Sequence, residues 1–334
     1  MKALERLILL IGLGTIAYLV WLFDPRQIWT MVSQVGLVGF LLILSFQIFD
    51  HLLNALGWKL AFTPEYADQA PLWTLIKVRI AGDGVNYLTP SGQIAGELIR
   101  PAMLPAALPE DVKNGSVVVA KFSQAMAQAL FILVGMASVL QGRLNFLRGR
   151  QSAAAAGGSL LIFGLVGVGL WILTTETAPP AFLGKFGRHE ALAGLRAQVR
   201  GYLLRHPARY AGSVLFFMSG YLWGAFECLL ICHFMKIPMP FITAVAMEIL
   251  SNVVDSLMFM VPAKIGSQEA GKTAIFHGLG YPGPVGLAFG LIRHVREVLW
   301  ASAGFALYAV NRRRTPAHVS ARSPSAPVPP SRAG

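Results

Sequence analysis

Apolar and polar positions alternate along this chain on the scale of whole membrane crossings. Uninterrupted apolar stretches at residues 7–23, 35–56, 116–140, 153–173, 210–234 and 285–310 are each long enough to cross a hydrocarbon core of about 30 Å as a helix. Two further hydrophobic segments, 72–104 and 242–276, are interrupted in the middle, by Tyr87-Leu88-Thr89-Pro90-Ser91-Gly92 and by Met260-Val261-Pro262-Ala263-Lys264-Ile265-Gly266. Proline removes a backbone donor and breaks a helix, so each interrupted segment reads as two half-helices. The pattern predicts an all-α integral membrane protein of six transmembrane helices plus two re-entrant helical hairpins.

The two interrupted segments also match one another at a shift of 172 positions, which pairs Asp83 with Asp255, Pro90 with Pro262, Glu97 with Glu269 and Arg100 with Lys272. Lys121 and Arg293, each in the span that follows, pair at the same shift. This predicts an internal repeat with halves at about 35–140 and 210–310.

Composition agrees with the pattern: 55% of the 334 residues are hydrophobic, 13% are charged, and the mean hydropathy is +0.58. No water-soluble core hides that much apolar surface. The net charge of +12 sits in inter-segment stretches and the tail, which suits a membrane surface and argues against nucleic acid as a partner. Placing Lys2, Arg6, Lys59, Lys77, Arg79, residues 185–209 and Arg312–Arg314 inside puts both termini in the cytoplasm and the interrupted segments on opposite faces, as an inverted repeat requires. Arg143, Arg148 and Arg150 then fall outside, against the trend. Residues 1–311 form the transmembrane domain in this reading, and 312–334, rich in Pro, Ser, Ala and Arg, form a disordered basic cytoplasmic tail. A basic n-region and apolar stretch at the start lack a cleavage motif before Phe23-Asp24-Pro25, so the first span is expected to be retained. Between Phe182 and Arg205, apolar and basic residues alternate at helical spacing, as in a helix lying in an anionic leaflet, or simply a basic connector.

Ionisable side chains in the spans carry the chemistry. Asp50 and Asn54 are four apart, Glu248, Asn252 and Asp255 share a helical face, Arg293, Arg296 and Glu297 share another, and Lys121, Gln124 and Gln128 a third. Each costs about 2.5–3.5 kcal/mol at the bilayer centre, so such groups face a bundle interior, either lining a polar chamber or neutralising one another as structural ion pairs. The eight residues from Gly266 to Thr273 match the phosphate-binding P-loop pattern, but lie among lipid-phase segments without the strand that a P-loop needs. Cys228, Cys232 and His233 occupy adjoining turns and make a poor metal set, and no cofactor is indicated. Two GxxxG matches, at Gly220–Gly224 and Gly286–Gly290, are as frequent as this glycine content alone produces.

The run from Asn86 to Arg100, the later run from Val261 to Glu269, and Arg293 four residues before Glu297 resemble the signature of the flippase-like transmembrane domain of the lysylphosphatidylglycerol synthases over about residues 1–312. Ala95 stands where many relatives carry a second glycine. The resemblance implies a multi-pass protein of the bacterial inner membrane that translocates or handles lipid, its stand-alone relatives including some associated with hopanoid pathways. Implied partners are membrane lipids (an anionic or aminoacylated phospholipid, or a hopanoid or isoprenoid lipid) and lipid-biosynthetic enzymes. The synthase domain of bifunctional members has no place in the remaining residues, so tRNA-dependent synthesis is not expected. The substrate pathway is expected to run past Asp83, Asn86, Pro90, Glu97, Arg100, Lys121, Asp255, Pro262, Glu269, Lys272, Arg293 and Glu297. Arg100, Lys121, Lys272 and Arg293 would meet an anionic head group, and Pro90 and Pro262 would mark the hairpin tips. The rival readings are an accessory scaffold for a lipid-modifying enzyme and an intramembrane lipid enzyme using Glu97 or Glu269.

Overall fold

Proline and glycine punctuate the apolar runs, and the structure, a computed structural model, turns those runs into helices. It describes residues 2–89, 94–138, 189–258 and 261–314, with Gly164 and Gly167. Among these are eleven α-helices and no strand: α1 Lys2–Leu22, α2 Pro25–Leu60, α3 Pro64–Ala67, α4 Leu72–Leu88, α5 Ala95–Ile99, α6 Glu110–Ser138, α7 His189–Arg205, α8 Pro207–Phe234, α9 Phe241–Leu257, α10 Ser267–Gly278 and α11 Gly283–Arg314. Pro25 and Pro207 open their helices, where a missing N–H is no loss. Within α2, Gly36 has φ 62° and ψ 174°, a conformation that a side chain resists, and there the helix axis breaks.

Both interrupted segments are helix, break, helix. Leu88 ends α4 and α5 starts at Ala95; Leu257 ends α9 and α10 starts at Ser267. Taken from the Gly36 break, the starts of α2, α4, α5 and α6 and those of α8, α9, α10 and α11 agree at the shift of 172 to within three residues.

The bundle forms around antiparallel crossings between the two sets. Gly39 of α2 lies against Phe234 of α8, Phe46 stacks on Trp223 with centroids 4.3 Å apart, and Gly57 lies against Phe217. α4 crosses α11 where Gly84 and Gly304 let the backbones touch; a Cβ on Gly304 would strike the Ile80 carbonyl. Its counterpart crossing, α9 on α6, seats Ile249 on Gly135. Lipid tails are as apolar as leucine, so close packing and polar contacts, more than burial, hold such crossings together. The GxxxG glycines belong to this pattern and are not coincidental: Gly286 and Gly290 rest on the α10 backbone at Thr273 and Glu269.

Outward, α2 presents Leu37, Val38, Leu41, Leu42, Ile48 and Phe49 exposed, a face suited to lipid. Three described helical stretches are long and apolar enough to cross a membrane, Pro25–Leu60, Glu110–Gly135 and Pro207–Phe234. Of the other expected spans, 153–173 lies outside the described residues, apart from Gly164 and Gly167. The first forms a helix whose apolar part is Leu10–Leu22, and the last, α11, carries Arg293, Arg296 and Glu297 midway. The tail from Thr315 also lies outside the described residues. The basic stretch between the spans forms helix α7, His189–Arg205, with Val199 and Tyr202 buried against the bundle.

Candidate functional site

Helical spacing brings polar side chains from three helices to one cavity of about 140 Å³. α2 contributes Gln47, Asp50 and His51, α4 contributes Asp83 and Tyr87, and α11 contributes Arg296, Glu297 and Trp300. A water occupies about 30 Å³ of liquid, so the space suits a small polar group and is too small for a whole lipid.

One wall is a chain of charges from α4 to α6. Asp83 accepts from Arg100 Nη2 at 2.7 Å and lies 3.6 Å from Arg79 Nε. Arg100 also donates to Glu97, which accepts from Lys121 Nζ at 3.1 Å. The Arg100 guanidinium lies 5.8 Å from the Trp58 ring centroid and that of Arg79 lies 5.6 Å from the Phe217 ring centroid, so both cations are held on two sides. Asn86 Oδ1 accepts the Gly96 N–H at 2.7 Å and so ties the start of α5 to α4.

The opposite wall is centred on α11. Arg293 meets Glu248 through two bonds of 2.8 and 3.0 Å, and its Nε is 3.4 Å from Glu227. Arg296 joins Glu227 at 2.5 Å and Glu297 at 3.1 Å, and donates to Gln47. Glu248 Oε1 accepts from Asn252, whose Oδ1 accepts from Gln128. Each charge takes two or more partners, the arrangement that offsets desolvation at membrane depth.

Several polar groups remain open toward the cavity. Both ring nitrogens of His51, itself 5% exposed, lack a hydrogen bond; Nδ1 lies 4.0 Å from Asp83. The Tyr87 hydroxyl lies at the margin of a hydrogen bond with Glu297, whose Oε2 has no other hydrogen-bond partner.

Of the expected pathway residues, Asp83 and Glu297 line the cavity. Glu97, Arg100, Lys121 and Arg293 stand behind its walls, and Asn86 joins α4 to α5. Three others sit apart: Asp255 pairs with Lys264 at 2.9 Å, and Glu269, fully buried, meets His294 at 2.5 Å. Lys272, 2% exposed, has no ion pair within 4.0 Å among the described residues and feels Asp255 across a longer gap. The backbone of Pro262 opens a 3-10 turn, and Pro90 lies outside the described residues. The P-loop pattern is occupied by the chain itself, because Glu269 Oε2 accepts the Gly266 N–H at 2.8 Å at the α10 N-terminus, where a phosphate would sit. Cys228 and Cys232 are free and pack on Met239.

Sequence reasoning passed over His51, Tyr87 and Glu227 as site residues. His51 and Glu227 carried a usable signal, since each is an ionisable residue inside an apolar span. Tyr87 carried none, because a tyrosine in a span is ordinary.

A multi-pass helical membrane protein with a charge-lined interior is thus the class defined by fold and site. Within that class, the chain belongs to the lysylphosphatidylglycerol synthase transmembrane region family, whose profile matches residues 9–303. The match is to the transmembrane region; comparisons with curated proteins and with solved structures return no match.

Proposed function

We propose that this protein moves a membrane lipid between leaflets of the bacterial inner membrane, with the head group passing through the cavity between α2, α4 and α11 while the tails stay in lipid. The carrying observation is the convergence of open polar groups, His51, Tyr87 and Glu297, on one cavity inside a bundle with an apolar exterior. Water lost by a head group at membrane depth has to be replaced by fixed donors and acceptors, which these groups supply. An apolar groove of about 590 Å³ on the same two helices, α2 and α11, lined by Ile28, Trp29, Phe40 and Val295, suits an acyl chain.

The alternation of access is read as an inverted repeat with two re-entrant hairpins. Supporting it are the matched element starts and the α2–α8 crossing: equivalent helices that meet antiparallel are related by an axis across the helices, hence in the membrane plane. Both termini are cytoplasmic in this reading, the lipid is an aminoacylated or other phospholipid or a hopanoid or isoprenoid lipid, and the producing enzymes are partners. Of the remaining pathway residues, Arg100, Lys121 and Arg293 act from behind the cavity to steady the anionic side of the head group, and Glu97 holds Arg100 and Lys121 in place.

The dense pairing of charges favours one alternative, a lipid-pathway scaffold in which the ion pairs only hold helices together. Purified protein in liposomes with head-group-labelled lipid separates the two. Labelled lipid crossing the bilayer supports transport; an intact lipid that never crosses leaves the scaffold, and a chemically altered one makes the protein an enzyme. Tyr87→Phe removes only a hydroxyl at the margin of a hydrogen bond with Glu297, so it should slow crossing several-fold at little cost in stability.

A further inference from the structure

Among the described residues, every acid of the bundle interior has a basic partner within 4.0 Å except one. Asp83 has Arg79 and Arg100, Glu97 has Arg100 and Lys121, Glu227 has Arg293 and Arg296, Glu248 has Arg293, Asp255 has Lys264, Glu269 has His294, and Glu297 has Arg296. Asp50 has only amides: Gln47 Nε2 donates to Oδ2 and Asn54 Nδ2 to Oδ1, each at 2.9 Å. It nonetheless lines the cavity, beside a histidine whose ring nitrogens are open.

We propose that Asp50 is the proton-binding site through which this bundle couples lipid movement to a proton gradient; the coupling rests on the transport reading above. A carboxylate with no cation in contact has the least electrostatic reason to stay ionised at membrane depth, and a polar cavity gives a proton access. The charged and titratable groups around it are His51 on its own helix, Arg79, Asp83 and Tyr87 on α4, Tyr221 and Glu227 on α8, and Arg296 and Glu297 on α11. The donors on Asp50 are amide hydrogens, which suit a carboxylate and leave no oxygen cage for a metal cation.

A path for the coupling is visible. The Gln47 amide is shared, its Nε2 on Asp50 and its Oε1 on Arg296, and Arg296 in turn holds Glu227 and Glu297. A proton added to Oδ2 makes that oxygen an O–H donor, so two donors face each other and the Gln47 amide must turn or withdraw. Arg296 then loses its acceptor on α2, and the α11 wall of the cavity is held to α2 by one side-chain bond fewer, that from Trp300 to the Leu44 carbonyl remaining.

Infrared spectroscopy of the full chain in lipid nanodiscs tests the proton site without any substrate. A protonated-carboxyl band at higher frequency than that of the chain's exposed acids, as a carboxyl shielded from water gives, should appear on acidification, persist in Asp83→Asn and be missing in Asp50→Asn. No such high-frequency band, or one that survives Asp50→Asn, overturns the proposal. If Asp50→Asn does not fold, carboxyl ¹³C labelling of aspartate alone decides: the high-frequency band should shift with label in the wild type and ignore it in Asp50→Glu, and a label-sensitive band at that frequency in Asp50→Glu overturns the assignment. In liposomes, head-group-labelled lipid should cross at least threefold faster under one direction of pH gradient than the other, Asp50→Asn should lose that response, and a sodium gradient should have no such effect. Equal rates in both directions, or a response to sodium alone, overturn the coupling. If no lipid crosses under any gradient, the transport reading fails and the coupling with it, while the infrared result still decides whether Asp50 takes the proton.

Discussion

The two halves of the bundle carry matched charges and wire them differently. In the second half Arg293 is locked to Glu248 by two hydrogen bonds with both side chains at or below 10% exposure, and the half-helix α10 runs twelve residues. In the first half the matching cation, Lys121, is 45% exposed and holds Glu97 by one contact, and α5 runs only five residues. Asp83, the shared acid of that wall, is 37% exposed. One half is therefore a fixed pillar and the other a more exposed, less tightly held wall. A protein that passes a polar group through its interior needs both, since a site rigid on every side admits nothing and a soft one holds nothing.

The contrast can be broken experimentally, and the effects should fall in order. Glu248→Gln leaves Arg293 without its bidentate acceptor in the dry half and should cost about 3–5 kcal/mol, read as a collapse of the unfolding midpoint in detergent. Arg293→Met belongs with it, although Lys121→Met, at the matching position, does not. Next, Gly304→Val forces a side chain into the α4–α11 contact that joins the halves and should cost about 1–3 kcal/mol by the same assay. Asp83→Asn removes a charged acceptor from the more exposed wall, so a smaller loss of about 1–2 kcal/mol is expected, with lipid crossing reduced more than stability. Lys121→Met should be smallest, within about 0.5 kcal/mol, because an exposed ion pair contributes little. Equal costs for Glu248→Gln and Asp83→Asn would erase the distinction between pillar and wall.

Legibility of the fold varied with the kind of signal. Long apolar runs state their helices outright, as α2 and α8 show, and proline with glycine marks the breaks after Leu88 and Leu257. The charged positions that pair at the shift of 172 were also readable, since charged residues inside a membrane are rare enough that a matched series of them stands out. For α11, hydropathy alone undersells the helix because Arg293, Arg296 and Glu297 interrupt it. Partners were not legible in the same way. Glu269 and Lys272 lie in one motif, yet Glu269 turns to His294 and its own helix N-terminus and Lys272 toward Asp255. Side-chain direction within a turn, and the helix packed opposite, decide such pairings, and neither is written in spacing.

By itself the sequence determined that this chain belongs in lipid, where its helices break and which residues bear charge at depth, because each of these follows from transfer free energy and backbone chemistry acting locally. Only the tertiary structure decided which charges meet, that His51, Tyr87 and Glu297 open on a common cavity, and that Asp50, alone among the described acids of the bundle interior, has no cation within 4.0 Å. Those facts depend on how helices cross, which is settled by glycine contacts such as Gly84 with Gly304 between residues far apart in the chain.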